Sequence, residues 1–464
     1  MTTDAPGQLT SVNPHDGTTL ESYTEHSDAQ VGVIMDKVLD AQRSWARSTL
    51  AERSAVLERI ADGLRTNFSR LAVTITQEMG KPIGEAEAEV KKCAWVCDYY
   101  ATHASQFLAT QEAPTDAKRA RVYFRPLGVV LAIMPWNFPF WQTFRFAAPA
   151  IAAGNGVLLK HASNVTGCAL ALESLFADCA PENLMRALLV SSGRMRGIIE
   201  DSRVSAVTFT GSTTAGSKVG AAAGGAIKKS VLELGGSDPY LVLEDADIEH
   251  AAEVCAAARL VNSGQSCIAA KRFIVAHGVY DTFLEALCSR MLSVPMGDPM
   301  DRDNRIGPLA RVDLADHLAR QVERSVDADA RMITDPQPGR AGGDAYFVPA
   351  VLADVRPGMP AADEELFGPV AAVMRARDEG DMTRLANAST FGLGGAVFSA
   401  DEARAERIAA QSLSTGSVAV NGQVVSDPRL PFGGVKRSGY GRELGEFGIR
   451  EFVNVKSVVT FDGA

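Results

Sequence analysis

The stretch Val204-Ser205-Ala206-Val207-Thr208-Phe209-Thr210-Gly211-Ser212-Thr213-Thr214-Ala215-Gly216-Ser217-Lys218 decides the class of fold. Residues 206–209 are a short apolar run that predicts a buried strand, and a helix fits 214–223 beyond the small-residue turn. The turn nearly matches a phosphate-binding P-loop. It fails because Ser217 stands where that motif needs lysine and Lys218 comes one place late; nor is it G-x-G-x-x-G. A strand, a small-residue turn and a helix start can still aim backbone N–H groups at a phosphate. Ordinary turn packing is the competing reading of these residues.

The same rhythm extends outward. Strands are predicted at 129–133, 157–160, 187–190 and 230–234, with helices near 142–153, 164–178 and 193–200. Continuous apolar runs alternating with helices imply a parallel sheet covered on both faces. A second α/β series follows, with strands at 240–243 and 273–275 and helices at 248–260 and 280–292. Later strands fit 371–375, 395–398 and 417–420. Upstream, 29–67 is helical by its spacing of Val31, Ile34, Met35 and Val38, and 71–108 is helical with a break at Gly80-Lys81-Pro82. The first 30 residues are polar with turn signals, 298–303 and 337–344 read as loops, 119–125 alternates like an exposed strand, and 452–461 is strand-like.

The chain has 464 residues, which at about 150 per domain suggests about three domains or two with an appendage. It carries 46 basic and 56 acidic residues, for a net charge of −10. No basic run stands out, so nucleic acid and anionic membrane surfaces are not expected partners. No apolar stretch reaches the roughly 18 residues of a transmembrane helix, and the start lacks the pattern of a secretory signal. Seven irregularly spaced cysteines and no C-x-x-C argue against a disulfide framework or a zinc site, and for a reducing compartment, which points to the cytoplasm. No metal is expected.

Several residues stand out for their chemistry. Cys267 follows Asn262-Ser263-Gly264-Gln265-Ser266, small polar neighbours ahead of an apolar run. A lone cysteine is usually a small buried hydrophobe, and a nucleophile is the sharper alternative. Glu233 ends an apolar strand before Gly235-Gly236; burial raises a carboxyl pKa, which suits a general base, although a paired structural Glu fits the pattern too. Met134-Pro135-Trp136-Asn137-Phe138-Pro139 ends a strand in a loop stiffened by two prolines, and the Asn137 amide can donate to a developing oxyanion. Lys160 closes the next strand, where ligands gather in parallel sheets.

Together these residues resemble the aldehyde dehydrogenase superfamily. The likeness rests on Pro135-Trp136-Asn137-Phe138-Pro139, Lys160, Phe209-Thr210-Gly211-Ser212, Glu233-Leu234-Gly235-Gly236, Gly264-Gln265-Ser266-Cys267, Glu365-Leu366-Phe367-Gly368-Pro369 and Pro431-Phe432-Gly433-Gly434, in family order. The resemblance implies an aldehyde-dehydrogenase-like α/β fold: a Rossmann-like cofactor domain (1–114 and 128–235), a catalytic α/β domain (236–440) and a small oligomerisation flap (115–127 and 441–464). It implies Cys267 as nucleophile, Glu233 as base, and Asn137 with the Cys267 N–H as oxyanion hole. Trp136, Asn137, Lys160, His161, Ala162, Ser163, Gly211, Ser212, Leu234, Glu365 and Phe367 are implied at the cofactor.

Two segments, Phe138-Pro139-Phe140-Trp141-Gln142-Thr143-Phe144-Arg145 and Asn421-Gly422-Gln423-Val424-Val425-Ser426-Asp427-Pro428-Arg429, resemble bacterial succinate-semialdehyde dehydrogenases. Trp141 and Arg145 share a helix face, so Arg145 can fork onto a substrate carboxylate, with Ser426 adding a hydrogen bond. Some members of that class carry Arg where Val261 stands, Ala269 replaces a second cysteine, and His161 replaces a common proline. Ser163 is small and neutral where NAD-preferring relatives often carry Glu, so NADP is the expected cofactor and NAD a weaker substitute. The expected reaction is oxidation of succinate semialdehyde to succinate by a homo-dimer or homo-tetramer. Glutarate semialdehyde, broad aliphatic aldehydes, or a non-catalytic oligomeric binding protein on the same fold are the alternatives.

Overall fold

The computed structural model describes residues 7–333 and 343–462. Two parallel-rich sheets organise it, and each carries helices on both faces. The first has the strand order Gly439–Tyr440, Lys229–Glu233, Val204–Thr210, Val129–Met134, Gly156–His161, Met185–Ala187. Its five inner-series strands are parallel, and the short Gly439–Tyr440 strand is antiparallel to Lys229–Glu233. The chain starts in the middle at Val129–Met134, moves one way through two strands, then crosses back to Val204–Thr210. That reversal opens a crevice at the carboxyl ends of Val129–Met134 and Val204–Thr210, where open α/β sheets take ligands.

Both central strands, Val129–Met134 and Gly156–His161, are buried at every position, as a sheet covered on two sides requires. Val130, Ala132 and Leu159 join a core with the helices Leu50–Thr66, Ile83–Phe107, Trp141–Ala153 and Thr166–Cys179. Val129, Leu131 and Leu158 face the other way, toward Asp28–Trp45, Met195–Glu200 and Thr213–Gly225. The second sheet runs Arg331–Met332, Ala350–Ala353, Val370–Ala376, Ala270–Ala276, Asp238–Val242, Ala396–Phe398, Ala419–Val420. A three-stranded antiparallel sheet joins Val453–Thr460, Arg119–Pro126 and Gln111–Glu112.

Local chemistry explains the helix limits. Reciprocal capping boxes, Ser27 with Gln30 and Thr49 with Glu52, open the first two helices and split the long helical stretch read from 29 to 67. Gly80, at φ 79°, ends Phe68–Met79, and the next helix starts at Ile83 directly after Pro82. Trp141–Ala153 is buried at all 13 positions and stops at Gly154 in the left-handed region.

The structure adds detail at four places. The polar N-terminal stretch forms a hairpin, Gln8–Val12 with Thr19–Thr24. The strand read at 187–190 ends at Ala187. The segment 441–464 is not all flap, because Gly445–Glu451 is a helix packed on Trp141–Ala153 and Ile83–Phe107. Gly439–Tyr440, placed with the catalytic segment, is an edge strand of the first sheet. Most of the loop read at 337–344 lies outside the described residues. Helices at Val312–Asp327, Glu379–Asn387 and Glu402–Gln411 complete the second layer.

Candidate active site

Cys267 sits on a loop that the sequence forces into an improbable shape. Asn262, Ser263 and Gly264 all have positive φ, at 55°, 54° and 76°. Gly264 is obligatory there, since a Cβ would lie 2.3 Å from the Gly368 backbone. Two non-glycine residues in this region store backbone strain, and the surroundings hold them in place. Glu85 accepts the Asn262 N–H at 2.7 Å, and the Asn262 amide donates to the carbonyls of Asn137 (2.8 Å) and Gln265 (3.1 Å). Arg259 donates to the Gly264 carbonyl at 2.6 Å, and Lys271 to those of Ser266 and Cys267 at 3.0 and 2.8 Å. Buried cations thus fix the carbonyls of the loop on its inner side. The Cys267 side chain is left half-buried at its tip.

The Asn137 amide reaches the same loop and donates to the Gln265 carbonyl at 3.0 Å, which uses one of its two N–H groups. The Cys267 backbone N–H makes no hydrogen bond among the described residues. The Asn137 amide is thereby tied to the cysteine loop and keeps one N–H uncommitted, as the Cys267 backbone N–H is among the described residues. Burial pushes the thiol up to about 12, with Arg145 and Lys271 pulling it back, so the resting sulfur is protonated.

Glu233 ends strand Lys229–Glu233 and is 1 % exposed, with neither carboxyl oxygen hydrogen-bonded among the described residues. It presses against Gly433, where a Cβ would lie 2.7 Å from Oε1. Burial, then repulsion from Glu443, holds its proton well above the usual carboxylate range, against the pull of Arg145 and Arg442. The adjoining Gly236 is needed because a Cβ there would meet the Cys267 carbonyl at 2.6 Å. Strand end and cysteine loop are thereby brought into contact.

The crevice side carries the other expected residues. Lys160 is 9 % exposed and makes no hydrogen bond or ion pair among the described residues; burial lowers its pKa, and Glu25 opposes. Ser163 is exposed and Ala162 half-buried beside it, with no carboxylate on either. Ser212 caps helix Thr213–Gly225, its Oγ accepting the Ala215 N–H at 3.3 Å, and Gly211 donates to the Glu233 carbonyl at 3.0 Å. Leu234 is buried. Glu365 accepts the Gly236 N–H at 3.0 Å and lies 3.5 Å from Lys271 Nζ. Phe367 meets Trp136 edge-on at 5.7 Å between ring centroids. His161 is different: its buried ring bonds the Pro139 carbonyl at 2.7 Å, and burial drops its pKa to about 4. The ring pins the Asn137 loop from behind.

On the opposite side of Cys267 opens a cavity of about 240 Å³. Trp141, Arg145 and Ser426 line it as the sequence anticipates, and the indole N–H donates to Ser426 Oγ at 3.2 Å. Arg145 also has a partner within the chain. It is 1 % exposed, ion-paired through Nε with buried Glu443, and lies over the Phe432 ring at 4.4 Å. Sequence reasoning missed Glu443, and it missed Lys92, which lines the cavity from helix Ile83–Phe107 with Glu85, Ala88 and Glu89. Their i, i+3, i+4, i+7 spacing marks one helix face, yet nothing in the spacing says that the face meets a cavity.

The sequence and the geometry now meet the comparisons. The model of the Aldehyde dehydrogenase family matches residues 1–458. This chain belongs to that family. Among curated relatives, this aldehyde dehydrogenase is 44% identical over 459 residues to the succinate semialdehyde dehydrogenase [NAD(P)+] Sad of Escherichia coli (strain K12), covering 99% of both chains. It is 43% identical to the probable succinate-semialdehyde dehydrogenase [NADP(+)] of Synechocystis, covering 97% of this chain and 99% of that one. A solved succinic semialdehyde dehydrogenase from Streptococcus pyogenes in complex with NADP+ superposes with a TM-score of 0.95 at 34% identity, over 98% of this chain and 100% of that one. The fold is therefore the aldehyde dehydrogenase fold.

Proposed function

We propose that this aldehyde dehydrogenase oxidises succinate semialdehyde to succinate with NADP. The observation that carries the reading is one cavity lined by both a cysteine and cationic side chains, in a chain 43–44% identical to enzymes named for that substrate. A neutral aliphatic aldehyde gives no reason to bury beside it Lys92, a cation without an ion-pair partner among the described residues.

The crevice suits the cofactor. Lys160 is a buried cation without a partner among the described residues, the exposed Ser163 leaves room beside it, and no acidic side chain opposes a 2′-phosphate on residues 161–163. Glu365 would meet a ribose, Ser212 and Gly211 the pyrophosphate, and Trp136, Leu234 and Phe367 the walls. When bound, the nicotinamide supplies the acceptor for the aldehyde's hydride. His161 and Ala162 act through the backbone they support.

The chain's own groups account for the rest. The Cys267 thiol gives up its proton to solvent water as Sγ forms a bond to the carbonyl carbon, and the C=O electron pair moves to the oxygen, leaving an oxyanion for the Asn137 amide and the Cys267 N–H to stabilise. Loss of hydride leaves a thioester on Cys267. Glu233, in its ionised form, takes a proton from water as the water oxygen bonds to the acyl carbon. The C–S bond then breaks, returning the thiol and releasing the acid. A carboxyl with a raised pKa is the stronger proton acceptor once ionised, and its desolvated seat provides that.

The edge strand Val453–Thr460 exposes Val455, Val458 and Val459, followed by Phe461. An exposed apolar edge invites pairing with another copy, so a homo-dimer or homo-tetramer is proposed. All seven cysteines are free, which favours a cytoplasmic setting, and no helix among the described residues is long and apolar enough to cross a membrane. Steady-state kinetics test the reading: kcat/KM for succinate semialdehyde should exceed that for butanal, and be higher with NADP than NAD. Equal values for the two aldehydes would overturn the substrate; higher values with NAD would overturn the cofactor.

A further inference from the structure

The charges around the cavity can be paired off. Glu89 takes the Phe140 and Trp141 N–H groups at 2.8 and 2.9 Å on one oxygen and the Lys81 ammonium on the other. Glu85 is held by the Asn262 N–H. Asp427, which faces Lys92 from the 421–430 loop, is bound by Arg429 through both oxygens, at 2.9 and 2.6 Å. Arg145, on the neighbouring helix, is paired with Glu443. Lys92 is what remains. Its Nζ lies over the Trp141 ring, 4.3 Å from the centroid, and among the described residues it makes no hydrogen bond or ion pair. Of the two cationic side chains that line the cavity, it is the one without an ion-paired carboxylate among the described residues.

We infer that Lys92 binds the carboxylate of the substrate and sets the preference for carboxylated aldehydes. The inference rests on the semialdehyde reading above and names the residue that enforces it. The cavity joins Lys92 to Cys267, so an aldehyde attached to sulfur at one end can place an acid group at the other. Ser426, whose oxygen already accepts the Trp141 indole N–H, keeps its hydroxyl proton to donate to the same acid group. The ring under Nζ holds the ammonium in place by a cation–π contact, so little freedom is lost on binding. Val261, uncharged, lines the same cavity, and Lys92 supplies from another helix the cation that this loop position lacks.

Burial, then the Arg145 charge, lowers the Lys92 ammonium to about 8, while Cys93, Asp427 and Glu89 oppose. Lysine is charged below its pKa, so the selectivity it confers is full at pH 7 and lost as pH rises through about 8. The ionisation of Cys267 affects every aldehyde alike and cancels in a ratio.

The test is the ratio of kcat/KM for succinate semialdehyde to that for butanal, measured from pH 6.5 to 9.5. It is run with the full-length enzyme and NADP for wild type, Lys92→Met and Lys92→Arg. Wild type should show a ratio that falls above pH 8. Lys92→Met should lower the ratio roughly 10- to 100-fold at pH 7, the range of a charge-assisted bond, and leave it flat with pH. Lys92→Arg should restore most of the ratio and move its fall beyond pH 9.5. A wild-type preference that survives Lys92→Met would overturn the inference and leave the semialdehyde reading standing. A wild type with no preference for the carboxylated aldehyde at any pH would overturn both.

Discussion

Replacing Arg145 by Met asks whether this guanidinium serves the fold or the substrate. Its side chain is 2 % exposed and that of Glu443 1 %, and the two are ion-paired. Nη2 also donates to Thr210 Oγ1 at 3.4 Å. Met keeps much of the aliphatic stem but removes the charge and the guanidinium that lies over Phe432. Glu443 is then buried with no cation against it, close enough to Glu233 to strengthen that group's hold on its proton. Breaking one side of a buried pair costs about 3–5 kcal/mol. Glu443 can escape by taking up a proton. Its folded-state pKa, already raised by burial, rises further without Arg145, so the variant's stability is best at low pH and lost as pH rises. Arg145→Met/Glu443→Gln buries no charge at this point and should recover most of the loss. Denaturant unfolding at pH 6 and pH 8, at one fixed protein concentration, measures these terms, and kcat/KM for succinate semialdehyde and butanal accompanies it. The single variant should lose activity toward both aldehydes by similar factors. If it stays within ~1 kcal/mol of wild type, the spread of ordinary substitutions, and loses only the carboxylated aldehyde, the ion pair is not what Arg145 is for. The guanidinium would then be a substrate ligand in its own right.

Glu233→Gln should give one equivalent of NADPH per active site in a rapid burst and then turn over about 10²- to 10⁴-fold more slowly, as loss of a general base does; wild-type steady turnover should fall with decreasing pH as Glu233 takes its proton, a fall the variant should lack. Ser163→Glu should shift the NADP-to-NAD ratio of kcat/KM toward NAD by roughly 5- to 150-fold, the equivalent of about 1–3 kcal/mol of repulsion from a 2′-phosphate in a partly solvated site; an unchanged ratio would place Ser163 away from the phosphate. His161 is neutral in the fold with a pKa of about 4, against 6.5 in the unfolded chain, so the unfolded state binds the proton first on acidification. Its contribution is full above pH 6.5 and declines toward pH 4 by up to roughly 3 kcal/mol. His161→Asn should flatten that part of the unfolding profile, and an unaltered profile would show that the ring is not buried neutral.

The sequence by itself determined the layered architecture and, through the family resemblance, named the candidate reacting groups. Strands such as 129–133 and 157–160 are apolar at consecutive positions because both faces of the sheet are covered, and that pattern is local enough to read from the chain. Cys267, Glu233 and Asn137 stood out as members of an ordered set of motifs that resembles one family, and the structure gives two of the motif glycines a physical reason in close backbone approach: Gly264 against Gly368 and Gly236 against the Cys267 carbonyl. Tertiary structure decided which charges are free. In sequence Arg145 reads as a fork for a substrate carboxylate, and nothing marks Lys92. Only the return of Glu443, about 300 residues after Arg145, answers one, and the commitment of Glu89 and Asp427 elsewhere leaves the other open. His161 looked like a cofactor contact until the fold set its ring on the Pro139 carbonyl, 22 residues away. A short-range pattern records which face is buried; the partner of a buried charge is fixed by whatever distant segment packs against it, and local periodicity carries no record of that.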